Sequence, residues 1–247
     1  MKNIKINYIC PELCHFYGDA GNLRYMEKKA SMMGNSVEII ESSQFDVPLF
    51  ASEGCDMVYI GATTEEYVFD VVKYLAKYRQ ALVNYIENGG YVLATGNILE
   101  CFYETITRDD GEVFDGLKMF PLNAVQYYGK RHSYNVIAKY NDSITVAGYK
   151  NLCSDTVEKV YDNYLFKVIR EAGKNTTEEI CEGIHYKNLF ATYLLGPVLL
   201  QNPEFSDEIF KGLFGDDFKV VRIPYEVEAY EKRVKDVMNS KNPDKNG

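Results

Sequence analysis

The sequence has no tryptophan and three histidines among 247 residues. No stretch reaches the roughly 18 consecutive apolar residues that a membrane-spanning helix needs, so no span is expected. The opening Met1–Ile6 is too short in apolar residues to serve as a secretory signal. Positive charge is in deficit, with 27 Lys and Arg against 36 Asp and Glu and a formal net charge of −9. A nucleic-acid binder draws its affinity from basic patches, so that class is set aside. The 6 cysteines show no small-domain spacing and read as reduced thiols of a cytoplasmic protein. Cys10, Cys14 and His15 lack the second Cys/His pair of a zinc site and the further cysteine of an iron–sulfur motif. Gly61-Ala62-Thr63-Thr64 lacks the Gly-Lys-Ser/Thr ending of a phosphate loop, and Tyr17-Gly18-Asp19-Ala20-Gly21-Asn22 lacks the three spaced glycines of a dinucleotide fingerprint. No metal and no cofactor is expected.

Short apolar runs alternate with longer amphipathic segments, the pattern of a mostly parallel sheet with helices on both faces. Ile4–Ile9, Val37–Ile40, Met57–Ile60 and Tyr91–Thr95 read as strands, and Asn22–Gly34 as a helix stopped by Gly34. Glu65–Asn88 reads as one long helix, with Val68, Val71, Val72, Leu75, Leu82 and Ile86 along one face. Beyond about Leu117 the pattern shortens. Antiparallel or mixed strands are expected around Asn135–Lys139, Thr145–Tyr149 and Tyr164–Arg170, with a returning strand over Ile184–Leu195. Helices are expected from Ser206–Leu213 and Glu226–Met238. The fold class is thus α/β, a three-layer flavodoxin-like arrangement with an antiparallel extension in the second half. Residues 1–225 are expected to form a single domain, with a C-terminal helix and a disordered tail over 226–247.

Read in order, several segments carry a family resemblance. Tyr17-Gly18-Asp19-Ala20-Gly21-Asn22 resembles a Tyr-Gly-Asp-x-Gly-Asn signature, and Gly148-Tyr149-Lys150-Asn151 resembles a Gly-Phe-Glu-Asn element. Glu182-Gly183, then Thr192-Tyr193-Leu194-Leu195-Gly196-Pro197 and Asn202-Pro203, resemble a Glu-Gly and Thr-Tyr-Leu-His-Gly-Pro…Asn-Pro ending. Over roughly residues 4 to 215 the chain resembles the class I glutamine amidotransferases. Among these it is most similar to the small glutaminase subunits of lipid II isoglutaminyl synthases and to cobyric acid synthase glutaminase domains. The resemblance implies a strand–elbow–helix nucleophile position, a small amide or amino-acid ligand, and a Mur-ligase-like partner in cell-wall amidation.

The departures fall on the chemistry. The resemblance places a cysteine nucleophile after Tyr91–Thr95, where this chain has Gly96. The histidine before Gly-Pro is replaced by Leu195, and the histidine after Glu-Asn by Leu152. The Gly-Gly-Gly oxyanion loop survives only as Gly61 followed by Ala62 and Thr63. Amide hydrolysis by this route needs a thiolate, a base to form it and donors for the oxyanion. The reading is therefore an amidotransferase-like protein without glutaminase activity, with no catalytic residue and with Gly61, Gly96 and Arg131 as binding candidates. A shallow pocket above Gly96 is expected, and Arg131 is either a remnant contact for a ligand carboxylate or a solvated surface charge.

An active glutaminase using Thr95, Cys101 or Cys153 is the alternative, and a small-molecule sensor on the same fold is another. Cys101 reads as buried. His185 reads as structural, because ten residues of strand would hold it roughly 33 Å from Leu195.

Overall fold

The structure, a computed structural model, describes residues 1–240; from residue 241 on, the tail expected to be disordered lies outside the described residues. Within the described residues a six-stranded sheet forms the centre. Its strands are β1 (Asn3–Ile9), β2 (Ser36–Ser42), β3 (Met57–Ile60), β4 (Tyr91–Thr95), β14 (Ile184–Tyr186) and β15 (Leu189–Thr192), in the order β14-β15-β4-β3-β1-β2. All neighbours are parallel except β14 with β15. The Met-Val-Tyr-Ile run of β3 is buried at every position, as a strand covered on both faces requires.

Three layers follow from two apolar faces. On one, Val58, Ile60, Val92 and Ala94 meet Val68, Val72, Leu75, Leu82 and Ile86 of α2 (Tyr67–Ala76) and α3 (Arg79–Glu87). On the other, Ile4, Ile6, Tyr59 and Leu93 meet Leu23, Met26 and Ala30 of α1 (Ala20–Met32) and Phe205, Ile209 and Phe210 of α5 (Pro203–Phe214). Strand order 2-1-3-4 reverses direction between β1 and β3, so loops at their carboxyl ends form a crevice where ligands of such folds bind.

Two expected elements are corrected. The long helix over Glu65–Asn88 is two helices. Lys77 and Tyr78 bond three residues back, at 3.2 and 2.9 Å, and Tyr78 leaves helical geometry at φ −116° and ψ 13°. Arg79 then donates to the carbonyls of Leu117 and Lys118, which turns the second helix. The apolar stripe continues because both helices pack on one core. The strand over Ile184–Leu195 is a hairpin, turned at Lys187 with φ +52°. Tyr186 and Lys187 donate to the Glu87 carboxylate, and Asn188 Nδ2 donates to Gly89 O at 2.8 Å, fastening the turn to the end of α3.

The second half carries β5 (Thr105–Arg108), β6 (Val113–Asp115), β7 (Asn123–Gln126), β8 (His132–Tyr140), β9 (Ile144–Leu152), β10 (Ser154–Thr156), β11 (Phe166–Glu171), β12 (Lys174–Asn175) and β13 (Cys181–Glu182). They form two small sheets, β10-β7-β5-β6 and β12-β11-β8-β9 with β13 beside β11. After α4 (Val198–Gln201) and α5, α6 (Glu226–Asn239) lies on β8 and β9. It is fastened by the Lys29–Glu226 ion pair at 3.4 Å, Tyr230 Oη to Thr145 O at 2.7 Å and Arg170 Nε to Val237 O at 3.0 Å.

Candidate functional site

Four segments meet at the carboxyl edge of the sheet: Cys10–Asp19 after β1, Gly61–Glu66 after β3, Gly96 after β4 and Tyr193–Pro197 after β15. Asp19 is fully buried among them. Its Oδ2 accepts from the Ala62 backbone N–H and from Thr95 Oγ1 at 3.0 Å. Its Oδ1 is buried with no hydrogen-bond partner. Burial pushes this carboxyl up to about 6, and the two donated bonds hold it from rising further. Asn22 continues the stitching, donating to Tyr59 Oη at 3.1 Å and accepting from Leu199 N at 3.0 Å. The segment that reads in sequence as a strand–helix turn is thus the hub that holds this edge together.

Gly96 keeps the elbow conformation at φ +68°, a region L side chains rarely adopt. A methyl placed there would lie 2.5 Å from Ala62 Cβ and 2.9 Å from Leu195 Cδ2. Residue 96 is itself buried. The space where a shallow pocket is expected above Gly96 is crowded: Ala62 carries a methyl where the resembling motif has glycine, and Leu195 sets an isobutyl group where it has histidine. Leu195 is pinned by its N–H to Tyr149 O at 2.9 Å.

The Gly61–Thr64 loop does not offer an open anion cradle either. Ala62 N–H points to Asp19, and Thr63 N–H to Asn97 Oδ1 at 3.0 Å. An oxyanion placed at these donors would have to displace a carboxylate and an amide. Gly61 is held at close approach, since a Cβ there would lie 2.5 Å from Cys14 O.

The substitute nucleophiles fare differently. Thr95 is fully buried beneath the plug and donates its proton to Asp19. Cys101 is fully buried in the 3₁₀ turn Gly96–Phe102, and burial pushes its thiol well above the usual range. Cys153 lines an open cleft of about 370 Å³ with Thr64, Glu65, Tyr67, Tyr127 and Tyr128. Desolvation, then the Glu65 charge, raises its thiol as well, with Arg131 opposing. Arg131 sits at the rim, paired with Glu65 at 3.0 Å and donating to Asn151 O at 3.2 Å. The structure brings Gly61 and Gly96 to one edge through Asp19 and Ala62, and sets Arg131 over the rim of that edge, where it also donates to Tyr17 Oη at 3.4 Å. His185 stacks on Phe190 with ring centroids 4.7 Å apart, half-buried in the hairpin.

A thiol held protonated reacts slowly. With a disulfide reagent at pH 7.5, Cys101 is expected to stay silent until unfolding, and Cys153 to react no faster than free cysteine. Rapid labelling at Cys153 would return it to the list of nucleophiles.

Sequence reasoning passed over two further buried carboxylates. Glu100, four residues after the elbow glycine, accepts from Ser154 Oγ and from Gln126 Nε2 at 3.1 Å, and burial raises it to about 7. Glu182 accepts from Thr192 Oγ1 and from Tyr193 N at 2.7 Å. The signal for Glu182 was present in the Glu-Gly element.

Comparison with known proteins places this geometry. A family profile for the CobB/CobQ-like glutamine amidotransferase domain matches residues 5–203. The chain is 24% identical over 237 residues to the subunit GatD of lipid II isoglutaminyl synthase (glutamine-hydrolyzing) from Staphylococcus aureus strain N315, covering 95% of each chain. It is 24% identical to the same-named subunit from Streptococcus pneumoniae strain R6, covering 88% of this chain and 84% of that one. A crystal structure of a glutamine amidotransferase superposes with a TM-score of 0.50 at 9% identity, over 84% of this chain and 98% of that one, and shares the fold.

Proposed function

The chain belongs to the CobB/CobQ-like glutamine amidotransferase domain family, and from that premise we propose that it is a subunit without glutaminase activity. In this reading it acts in cell-wall amidation as a cytoplasmic binding or scaffolding partner of a Mur-ligase-like subunit. The relatives, named as subunits of a lipid II isoglutaminyl synthase, support the pathway and the need for a partner. Residues 1–225 form the amidotransferase-like unit in this reading. Gly61 and Gly96 serve close packing, and Arg131 marks the mouth of the cleft beside Glu65.

The observation that carries the loss of activity is the filled space at Gly96. A missing sulfur alone would leave a cavity, and a cavity could admit glutamine. Here Ala62 and Leu195 stand 2.5 and 2.9 Å from the point where a side chain at residue 96 would begin, which supports a crowded elbow rather than an open one. The base is an aliphatic chain, and two loop donors are engaged internally.

The test uses the chain co-expressed with a Mur-ligase-like subunit from the same cell. The two are expected to co-purify, and the complex to amidate its lipid-linked substrate with ammonium chloride but not with glutamine. Ammonia release from glutamine should stay at background, about 10⁶-fold below an intact cysteine enzyme. Glutamine-supported amidation overturns the inactive reading, and failure to co-purify overturns the subunit reading.

A further inference from the structure

The open cleft at Cys153, of about 370 Å³, is built apart from the crowded elbow: none of Gly61, Ala62, Gly96 and Leu195 lines it. Its volume lies at the lower end of the roughly 300–1,000 Å³ of small-molecule sites. Its walls expose more hydrocarbon than polar surface and carry three phenol rings, those of Tyr67, Tyr127 and Tyr128.

Each ring stands on a pinned backbone. Tyr67 N–H donates to Thr64 Oγ1 at 3.3 Å, Tyr127 N–H to Cys153 O at 2.6 Å and Tyr128 N–H to Asp109 Oδ2 at 2.6 Å. Two of the rings are unclaimed. Tyr67 is 41% and Tyr128 63% exposed, and among the described residues neither ring stacks on another or carries a cation. Tyr127 already hosts one, since Lys130 Nζ lies 5.3 Å from its centroid. Single exposed rings are ordinary, but rings gathered in one concave cleft mark a binding surface.

Charge decides what binds. The charged residues of the lining are Glu65 and Glu66. Arg131 answers Glu65 from the rim at 3.0 Å, whereas the Glu66 carboxylate has no partner among the described residues. The N-terminus of α2 opens here too, but the Tyr67 and Val68 amides both go to Thr64, and the two glutamates already supply the negative charge a helix start favours. It makes no call for an anion.

We propose that this cleft binds a weakly hydrated organic cation, an alkylated ammonium group held against Tyr67 and Tyr128 with Glu66 as its counter-ion. Aromatic faces attract cations through the ring quadrupole, and alkylated ammonium groups suit them best. An anion would meet two carboxylates and no cation in the lining. A neutral apolar ligand would fit the walls and leave Glu66 unanswered. A bare metal ion would find too few ligands, since among the described residues no three His, Cys, Asp or Glu side chains gather to hold one.

The site stands whether or not the chain cleaves glutamine, and its test reads binding alone. The full-length chain is titrated with choline chloride and with choline's uncharged isostere, in which carbon replaces the nitrogen, by calorimetry and saturation-transfer NMR. Choline is expected to saturate with a dissociation constant on the order of 1 mM, and the isostere to bind about tenfold more weakly. Tyr128→Leu, which keeps an apolar group and removes the ring, should weaken choline about threefold. Glu66→Gln should do the same, and the double variant should lose about tenfold. Both positions are exposed, so the variants should melt with the wild type. No saturable choline binding, equal binding of the isostere, or undiminished affinity in the folded double variant would each overturn the proposal.

Discussion

A cysteine restored at residue 96 is expected to lower stability and to return no glutaminase activity. The Gly96→Cys side chain would start 2.5 Å from Ala62 Cβ and 2.9 Å from Leu195 Cδ2, closer than real Cβ atoms approach their neighbours. It would also hold a non-glycine residue at φ +68°. Overpacking of this kind costs about 1–3 kcal/mol, and backbone strain a similar amount. The sum is about 2–6 kcal/mol, a fall in Tm of roughly 4–24 °C for a chain of this length. Adding Ala62→Gly should recover the part due to overpacking against Ala62, the shorter contact, and leave the backbone strain. Neither variant has a base, so neither should release ammonia. Only the triple variant with Leu195→His supplies thiol, base and room together. Differential scanning calorimetry and a coupled ammonia assay read both arms. A Gly96→Cys variant as stable as the wild type would show that the plug is not there.

Lowering the pH from 8 toward 5 should raise stability, against the common behaviour of acidic proteins. Asp19 and Glu100 have folded values of about 6 and about 7, both above the ordinary carboxylate range because of burial. A carboxyl raised in the folded state binds a proton there before the unfolded chain does. Its contribution is therefore full below the unfolded value near 4 and is lost as pH rises through 6 and 7. Each group is worth on the order of 3 kcal/mol at the limit. Glu158 pulls the other way, since two bonds from Asn123 lower it, and its contribution is lost only at more acid pH. Burial lowers His185, so its contribution is lost as pH falls below about 6.5, and the optimum should lie on the acid side of neutral where these opposing slopes balance. Glu100→Gln should flatten the upper part of the profile and stabilise the protein at pH 8, because an amide can serve Ser154 and Gln126 without a buried charge. Asp19→Asn should flatten the remainder, whereas Asp19→Ala should destabilise at every pH by orphaning the Ala62 N–H. Thermal melts across pH 4.5–8.5 decide the matter; a flat wild-type profile removes the argument.

Much of the fold was legible because its determinants are local. The apolar runs of β1, β3 and β4 and the stripe along α2 and α3 state their periods directly. The helix break at Tyr78 carries no glycine or proline, and its cause, the reach of Arg79 to Leu117 and Lys118, is distant in sequence. The hairpin at Lys187 hides for the same reason: its turn is held by Glu87 on another element. At the site, the missing cysteine and histidine could be read position by position. The filling of their space could not, because Ala62, Gly96 and Leu195 come from loops after three different strands. Nor could the role of Asp19, whose partners Ala62 and Thr95 lie far along the chain.

The inward-turned amides of the Gly61–Thr64 loop carry a historical consequence. Under the proposed reading, with Asp19 and Asn97 claiming those donors and two hydrocarbon groups set against residue 96, amide cleavage would need coordinated changes in loops after three different strands, which ties this lineage to other uses of the scaffold.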